Sequence, residues 1–396
     1  MPVDRGNPRR FHRLTEWKKC RDDFFSRAVS PAPSLRHPAR LGQIGIQVCR
    51  WVAPSGPFGE DAGNEPMNRK SVTLCYRVIK ALAGSERPFF ESLARCGCDV
   101  TLLSEDTPAG IPPAGAWLVI FGNAAWYPKI RRWLMATPRY RRPYVLLWHS
   151  EPLPPARAAG LSLPWLNLRE AAKIVLRDAR ATDVYTNYFT LRSLHRAGIP
   201  DVLVLSSRGR QEFLAERGIP GHFAPLGCDS SMGRDLGISR DIDVLFLGIL
   251  DVPRRNRLLQ SLRNQNINLT TAGSWTDPAF WGDNRTVLLN RAKILVNMAR
   301  TPAEFSGYRL SLGMANKALV VSEPIYRPEP FVPGKHFVMV PTAEMAACIR
   351  HSLNADIERR AMTETAWRFV HDEASLQRST ELMLGLMEDH ERNNQP

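Results

Sequence analysis

Arg309 opens a short apolar helix in the stretch EFSGYRLSLGMANKALVVSE, Glu304 to Glu323, at the helix end where the backbone dipole disfavours a cation. The turn ahead of it offers Ser306 or Gly307 as N-cap. Free N–H groups of the Gly307–Tyr308 turn and the positive helix end then form an anion site. A bound anion would offset the placement of Arg309, and an ion pair with Glu304 is the alternative. The strand that follows ends on Ser322 and Glu323, and Glu323 either accepts hydrogen bonds from ligand hydroxyls or caps the next turn.

Ligands of open α/β sheets sit beyond the carboxyl ends of the strands, so the residues after each apolar run are the next candidates. IDVLFLG ends on Gly248 and is followed by Arg254, Arg255 and Arg257. Glycine lets a chain turn close beside a ligand, and arginines pair with phosphate oxygens in bidentate fashion. A tight turn before a solvated helix has the same composition. The seven cysteines, Cys20, Cys49, Cys75, Cys96, Cys98, Cys228 and Cys348, are odd in number and scattered. Their spacing fits neither a disulfide framework nor a zinc knuckle, so the expectation is reduced thiols and no metal site.

The elements needed to hold these residues read as two α/β units. Residues 1–40 are basic, contain SPAPSLRHPAR and lack periodicity, as a loosely ordered arm would. A first unit, 41–228, begins with the strand IGIQVCRWV and a polar loop, followed by a helical pattern from Ser71 to Cys96. CDVTLLSE, AWLVIFGNA, PYVLLWHSE, ATDVYTNY and VLVLSS read as its further strands. The pattern restarts in a second unit, 240–396. Its strands are IDVLFLGIL, INLTTAG, KILVNM, ALVVSE and HFVMVPT, and the helices TAEMAACIRHSLN and ASLQRSTELMLGLME close the chain. Apolar strands alternating with helices make parallel sheets with crossover helices, and two such units enclose a cleft.

The 396 residues carry 53 Lys and Arg against 39 Asp and Glu, a formal charge of +14. Lys129 to Arg142, KIRRWLMATPRYRR, holds six of the positive residues and no acid. Such an excess concerns partners: phosphorylated substrates, an anionic membrane surface, nucleic acid, or simply solvent. No zinc-finger, recognition-helix or RNA-binding signature accompanies it, which ranks nucleic acid last. No run of about 18 apolar residues marks a membrane span, and no apolar segment follows the basic start as in a secretory signal. The chain therefore reads as cytoplasmic, with peripheral contact at the inner face of a membrane a further expectation.

DVLFLGILDVPRRNRLLQSL, RAKILVNM and YRLSLGMANKALVVSEPIYRPEPFVPGKHFV, in this order, resemble the donor-binding half of a GT-B glycosyltransferase of the family 1 type, which includes spore-maturation-protein-like members. The resemblance implies two Rossmann-like domains facing across a cleft and a nucleotide-diphosphate sugar as donor. It implies no bound metal or other cofactor, and transfer of the sugar to an acceptor hydroxyl. Donor-site positions implied by it are Gly248, Asn297, Arg309, Ser322 and Glu323, beside Arg254, Arg255, Glu304, Ser306, Gly307 and Tyr308. Where relatives carry an acidic residue and a glycine along the Arg309 helix, this chain has Leu312 and Lys317. A degenerate relative that binds a nucleotide sugar or a protein partner without turnover is thus the alternative. On the acceptor side, YVLLWHSEPLP places His149 and Glu151 at a strand end, as catalytic candidates. A histidine there serves as general base, orients the sugar, or has a structural task. Trp126 and Tyr127 in FGNAAWYP stack on a sugar or pack inside. The acceptor itself is open, with an anionic or lipid-linked molecule suggested by the basic segments.

Overall fold

The computed structural model describes residues 70–76, 86–106, 110–161, 172, 184–250, 253–273 and 280–394. Residues 1–40, the strand IGIQVCRWV, Cys20 and Cys49 lie outside them. Six strands in the first half, β1 (Ser71–Tyr76), β2 (Asp99–Ser104), β3 (Trp117–Gly122), β4 (Tyr144–His149), β5 (Val202–Leu205) and β6 (His222–Phe223), form one sheet in the order β2–β1–β3–β4–β5–β6. Every neighbour in it is parallel. Parallel pairs need crossovers, and these are α1 (Glu86–Arg95), α2 (Pro128–Ala136), α3 (Val184–Arg196) and α4 (Arg208–Ala215). WLVIFG in β3 is buried along its whole length because both faces of the sheet are covered. Leu118 and Ile120 enter one core, and Trp117, Val119 and Phe121 enter the other.

The second half repeats the plan with β7 (Ile242–Leu247), β8 (Leu269–Ala272), β9 (Ala292–Asn297), β10 (Leu319–Ser322) and β11 (Val338–Met339), in the order β11–β10–β9–β7–β8 and again parallel. Its helices are α5 (Pro253–Asn264), α6 (Gly282–Arg291) and α7 (Gly307–Ala315). After them come α8 (Met345–Asn354), α9 (Asp356–Asp372) and α10 (Leu376–Asn393). The architecture is α/β with two Rossmann-like sheets, as expected. Among the described residues no helix is long and apolar enough to cross a membrane.

Three local readings need correction. Ser71 to Tyr76 is a strand and not the start of a helix, since Val72, Leu74 and Cys75 are fully buried between β2 and β3. Val184 to Tyr188 of ATDVYTNY lie in α3 and not in a strand, and the three residues before them lie outside the described ones. Asn187, Thr190, Leu191 and Leu194 are its buried residues, at the spacing of a helix face. The long helix α9 was not anticipated, because its buried positions Arg359, Thr363, Ala366 and Val370 include few large apolar residues.

The two sheets belong to one compact unit that spans Pro66–Pro396. Their connection is a crossing. The Cys228 amide donates to Ala374 and the Leu376 amide to Cys228, each at 2.8 Å. Past that crossing α10 returns to the first sheet, where Leu376, Met383 and Met387 pack with Phe89, Trp117 and Trp148. Segment 240–396 therefore does not pack as one body: its last helix completes the first sheet's core. Ser92 Oγ and Thr380 Oγ1 meet at 2.8 Å beneath it, and Glu391 accepts from Trp117 Nε1 at 2.5 Å and Lys70 Nζ at 3.0 Å.

Gly227 adopts a left-handed φ of 65° at the crossing, and a Cβ there would stand 2.5 Å from the Leu376 backbone. Gly227→Ala should cost about 2 kcal/mol or more through backbone strain and collision, read as a lowered urea midpoint with an unchanged slope. A midpoint equal to wild type would show that the crossing yields without cost.

Candidate functional site

The carboxyl ends of β7, β8, β9 and β10 converge on the start of α7. Gly248 and Gly273 close the ends of β7 and β8 at φ 156° and 129°, and the Gly248 amide donates to Ala272 at 2.8 Å. A Cβ on Gly273 would lie 2.7 Å from the Gly248 nitrogen, so the two backbones can approach this closely only as glycines. Ser306 is the N-cap of α7 but makes no side-chain cap hydrogen bond, and the amides of Gly307 and Tyr308 meet no acceptor among the described residues.

Arg309 is fixed on three sides. Its Nε donates to Leu247 O at 3.1 Å, and its Nη1 donates to Asn297 Oδ1 at 2.8 Å and Met298 O at 3.3 Å. The guanidinium lies 5.5 Å from the centre of the buried Phe246 ring. Nη2 has no partner among the described residues and faces Gly248, at 3.2 Å from where a Cβ would be. Burial, then the neighbouring Arg255 charge, pushes the pKa of Arg309 down to about 10, still cationic at neutral pH. No ion pair joins it to Glu304, whose carboxylate instead accepts from Thr301 N at 3.3 Å and Thr301 Oγ1 at 2.9 Å.

From Arg309 a buried chain runs along paired strand ends. Asn297 Nδ2 donates to Ser322 Oγ at 2.9 Å, which donates to Glu323 O at 2.7 Å. Asn297 and Ser322 are register partners in β9 and β10. The Glu323 carboxylate, 2% exposed, accepts from Ala299 N at 2.7 Å and receives Arg254 in a two-pronged pair, with Nη1 at 3.0 Å. Arg255 donates to Met298 O at 3.1 Å and Ile249 O at 2.8 Å. Arg254 and Arg255, anticipated as phosphate partners, are thus engaged in bracing the loops after β7 and β9. Tyr308 accepts from Arg285 Nη1 at 2.8 Å, and Arg285 lies over Trp281 at 5.5 Å.

Along α7, Leu312 is a core residue, 4% exposed. Lys317 follows the helix in a left-handed conformation, φ 51°, where glycine is favoured. Ion pairs to Asp235 at 3.1 Å and Glu364 at 2.8 Å hold it there.

On the first sheet, His149 ends β4 and is 0% exposed, with neither ring nitrogen in hydrogen-bond geometry with a described residue. Burial, reinforced by the Arg210 cation and opposed by the nearby Glu151 backbone, pushes its pKa down to about 3, so the ring is neutral. Glu151 sits half-buried two residues on. Asn123, after β3, donates to Asn187 at 2.7 Å, and Asn187 donates to Pro152 O at 2.8 Å, which fixes the loop that carries Glu151. Trp126 packs back on Gly122, 2.7 Å from where its Cβ would be, and Tyr127 is fully buried with its hydroxyl 3.3 Å from Cys75 O. Tyr127 is a core residue and not a stacking platform.

Arg210 was missed, although it follows VLVLSS in SSRGRQEF and the rule of strand carboxyl ends reaches it. Its Nη1 donates to Ser150 O and Ser206 Oγ, both at 2.7 Å, and its Nη2 reaches across to Phe305 O at 3.4 Å. Gly273 and Arg285 were likewise passed over. No group of three or more His, Cys, Asp or Glu among the described residues could hold a metal ion.

Residues 254–385 match the glycosyl transferase-like family. HepE of Anabaena, in complex with UDP-glucose, superposes with a TM-score of 0.53 at 10% identity, covering 81% of this chain and 100% of its own. TarM of S. aureus gives 0.48 at 10% identity over 68% of this chain and 54% of its own, so the chain spans about half the length of TarM. T4 phage BGT gives 0.48 at 10% identity, over 81% and 99%. No curated protein matches. The chain has the GT-B fold, and residues 254–385 of its second half are similar to the glycosyl transferase-like family.

The depressed His149 pKa sets a pH dependence. Its folded pKa, about 3, lies below the unfolded value of 6.5, so the unfolded chain takes up the proton first. The stability from a neutral buried ring is complete above the unfolded pKa and drains away as pH falls toward the folded one. From about pH 7 to about pH 5 wild type should lose about 2 kcal/mol more than His149→Gln, measured by urea unfolding. Parallel losses in both proteins would contradict the buried neutral ring.

Proposed function

We propose that the protein is a glycosyltransferase that moves a sugar from a nucleoside-diphosphate donor to an acceptor hydroxyl. The observation that carries this is Arg309: it is locked by Leu247, Asn297 and Met298, yet keeps Nη2 unpartnered beside Gly248 at the mouth of the second sheet. The glycine floor, the unpaired α7 amides and this guanidinium suit a diphosphate, whose departure they would stabilise electrostatically. The UDP-glucose complex of HepE, which shares the fold, supports a nucleotide sugar as donor. In the transfer the bond from the anomeric carbon to the diphosphate oxygen breaks, the acceptor oxygen bonds to that carbon, and the acceptor proton passes to a base. Glu151 suits the base better than His149, because an imidazole with so low a pKa accepts a proton poorly; the neutral ring suits orientation of a sugar hydroxyl.

Incubation of the full chain with a panel of nucleotide sugars and acceptors, with products read by mass spectrometry, tests the activity. Binding of a nucleoside diphosphate should raise the melting temperature, and Arg309→Ala should weaken that binding by about 1.5 to 3 kcal/mol with the fold intact. Unchanged affinity in the variant would remove Arg309 from the site.

The acceptor, on the same reading, is anionic or lipid-linked and is met at a membrane surface. Support comes from α2, α3 and the turn between α2 and β4. There Arg132, Arg141, Arg192 and Arg196 have no ion-pair partner among the described residues, and Met135, Phe189 and Tyr140 are 48%, 40% and 74% exposed. A groove of about 380 Å³ lined by Met135, Phe189, Arg192, Ser193, Arg196 and Ala197 contains no acid. Arg142 is not part of this face: it is buried and donates to Leu134 O and Ala197 O. Anionic vesicles should bind the full chain at low salt and release it as salt rises, each exposed arginine contributing about 1 kcal/mol. Charge reversal at Arg132, Arg141, Arg192 and Arg196 should abolish the binding; equal affinity for neutral vesicles would sink the membrane reading.

A further inference from the structure

We infer that Arg210, supplied by the first sheet's half, contacts the donor's diphosphate as the second arm of a clamp whose first arm is Arg309. The inference rests on the glycosyltransferase reading. Its geometry is local. Ser150 O and Ser206 Oγ fix Arg210 Nη1 at the ends of β4 and β5, and Nη2 reaches Phe305 O only at 3.4 Å. Phe305 immediately precedes Ser306, the N-cap of α7. The Arg210 guanidinium therefore stands at the same positive helix end that Arg309 opens.

Cations brought to the N-terminal side of a helix are unfavourable against its dipole unless an anion offsets them. Neither arginine has an ion-pair partner among the described residues. Glu304 lies close enough to favour the charged form of both, and Glu151 that of Arg210, but the Glu304 carboxylate accepts from Thr301 and forms no ion pair with either arginine. Burial opposes the charge on each. A diphosphate carries more than one negative charge and offers oxygens to more than one cation. It can also replace the long Phe305 contact with a charge-assisted one.

A purely architectural role accounts for Arg210 less well. The neighbouring Glu212, on the same helix, already ties the two halves through Tyr326 Oη at 2.6 Å and Arg327 Nε at 2.6 Å. That brace needs no cation facing Phe305.

The test titrates the full chain with UDP, GDP and ADP and with the matching nucleosides, for wild type, Arg210→Ala, Arg210→Lys, Arg309→Ala and Glu212→Gln. Arg210→Ala should weaken diphosphate binding about ten- to a hundredfold while nucleoside binding stays at the wild-type level. Arg210→Lys should recover part of the loss, since it keeps the charge without the fork. Glu212→Gln should leave the ratio of diphosphate to nucleoside affinity unchanged. A loss in Arg210→Ala shared equally by nucleosides and diphosphates would mark a brace and overturn the clamp. Wild-type diphosphate affinity in Arg210→Ala, with the expected loss in Arg309→Ala, would overturn the clamp and leave the proposed function standing. Failure of wild type to bind any of the three diphosphates would overturn that function, and the clamp with it.

Discussion

The hydrogen-bond chain from Arg309 through Asn297 and Ser322 is the constraint on which the second half of the site depends. It joins the first turn of a helix to the ends of two paired strands, and each member is buried or nearly so. In so dry a setting an unpaired amide or hydroxyl costs about 1–3 kcal/mol, so the chain is strongly held once complete. Its effect is positional: with Nε and Nη1 committed, the remaining nitrogen of Arg309 has only one direction in which to point. Preorganised charge of this kind acts without rearrangement when a leaving group develops negative charge.

A second carboxylate-centred arrangement stands behind it. Glu323, Arg254 and the Ala299 amide close the loop after β9 against the loop after β7, and Arg255 gathers the carbonyls of both. Charged residues at strand ends are usually read as ligands for substrate. Here they shape the floor on which a substrate would rest, and the arginine with an open nitrogen is a different one. The Phe246 ring lies within 5.5 Å of both Arg255 and Arg309, a flat apolar surface that both guanidiniums share.

The two sheets are joined by more than a linker. The crossing of Cys228 with Ser375 sends α10 back over the first sheet, and α4 sends Arg210 and Glu212 toward the loops after β9 and β10. Residues at the strand ends of the two sheets are therefore mechanically connected. His149 illustrates the consequence. It sits at a strand end of the first sheet, and its charge state is set first by burial and then by Arg210, which also reaches Phe305 of the second half.

Parallel sheets were legible because buried strands carry long apolar runs, as WLVIFG and the VLFL of IDVLFL do, and the sites at their ends followed from the α/β rule. Short-range pattern failed where burial or packing overrode it. SVTLCY became an interior strand, and VYTNY belongs to a helix that is anchored through polar Asn187. By itself the sequence determined the residue types at each strand end: Gly248, Asn297, Arg309, Ser322, Glu323 and His149. Only the tertiary structure decided which of them are engaged with one another and which keep an open nitrogen. Partner choice among arginines and carboxylates separated by 69 residues, as in Arg254 and Glu323, or by 115, as in Arg327 and Glu212, depends on tertiary structure, which no local window contains.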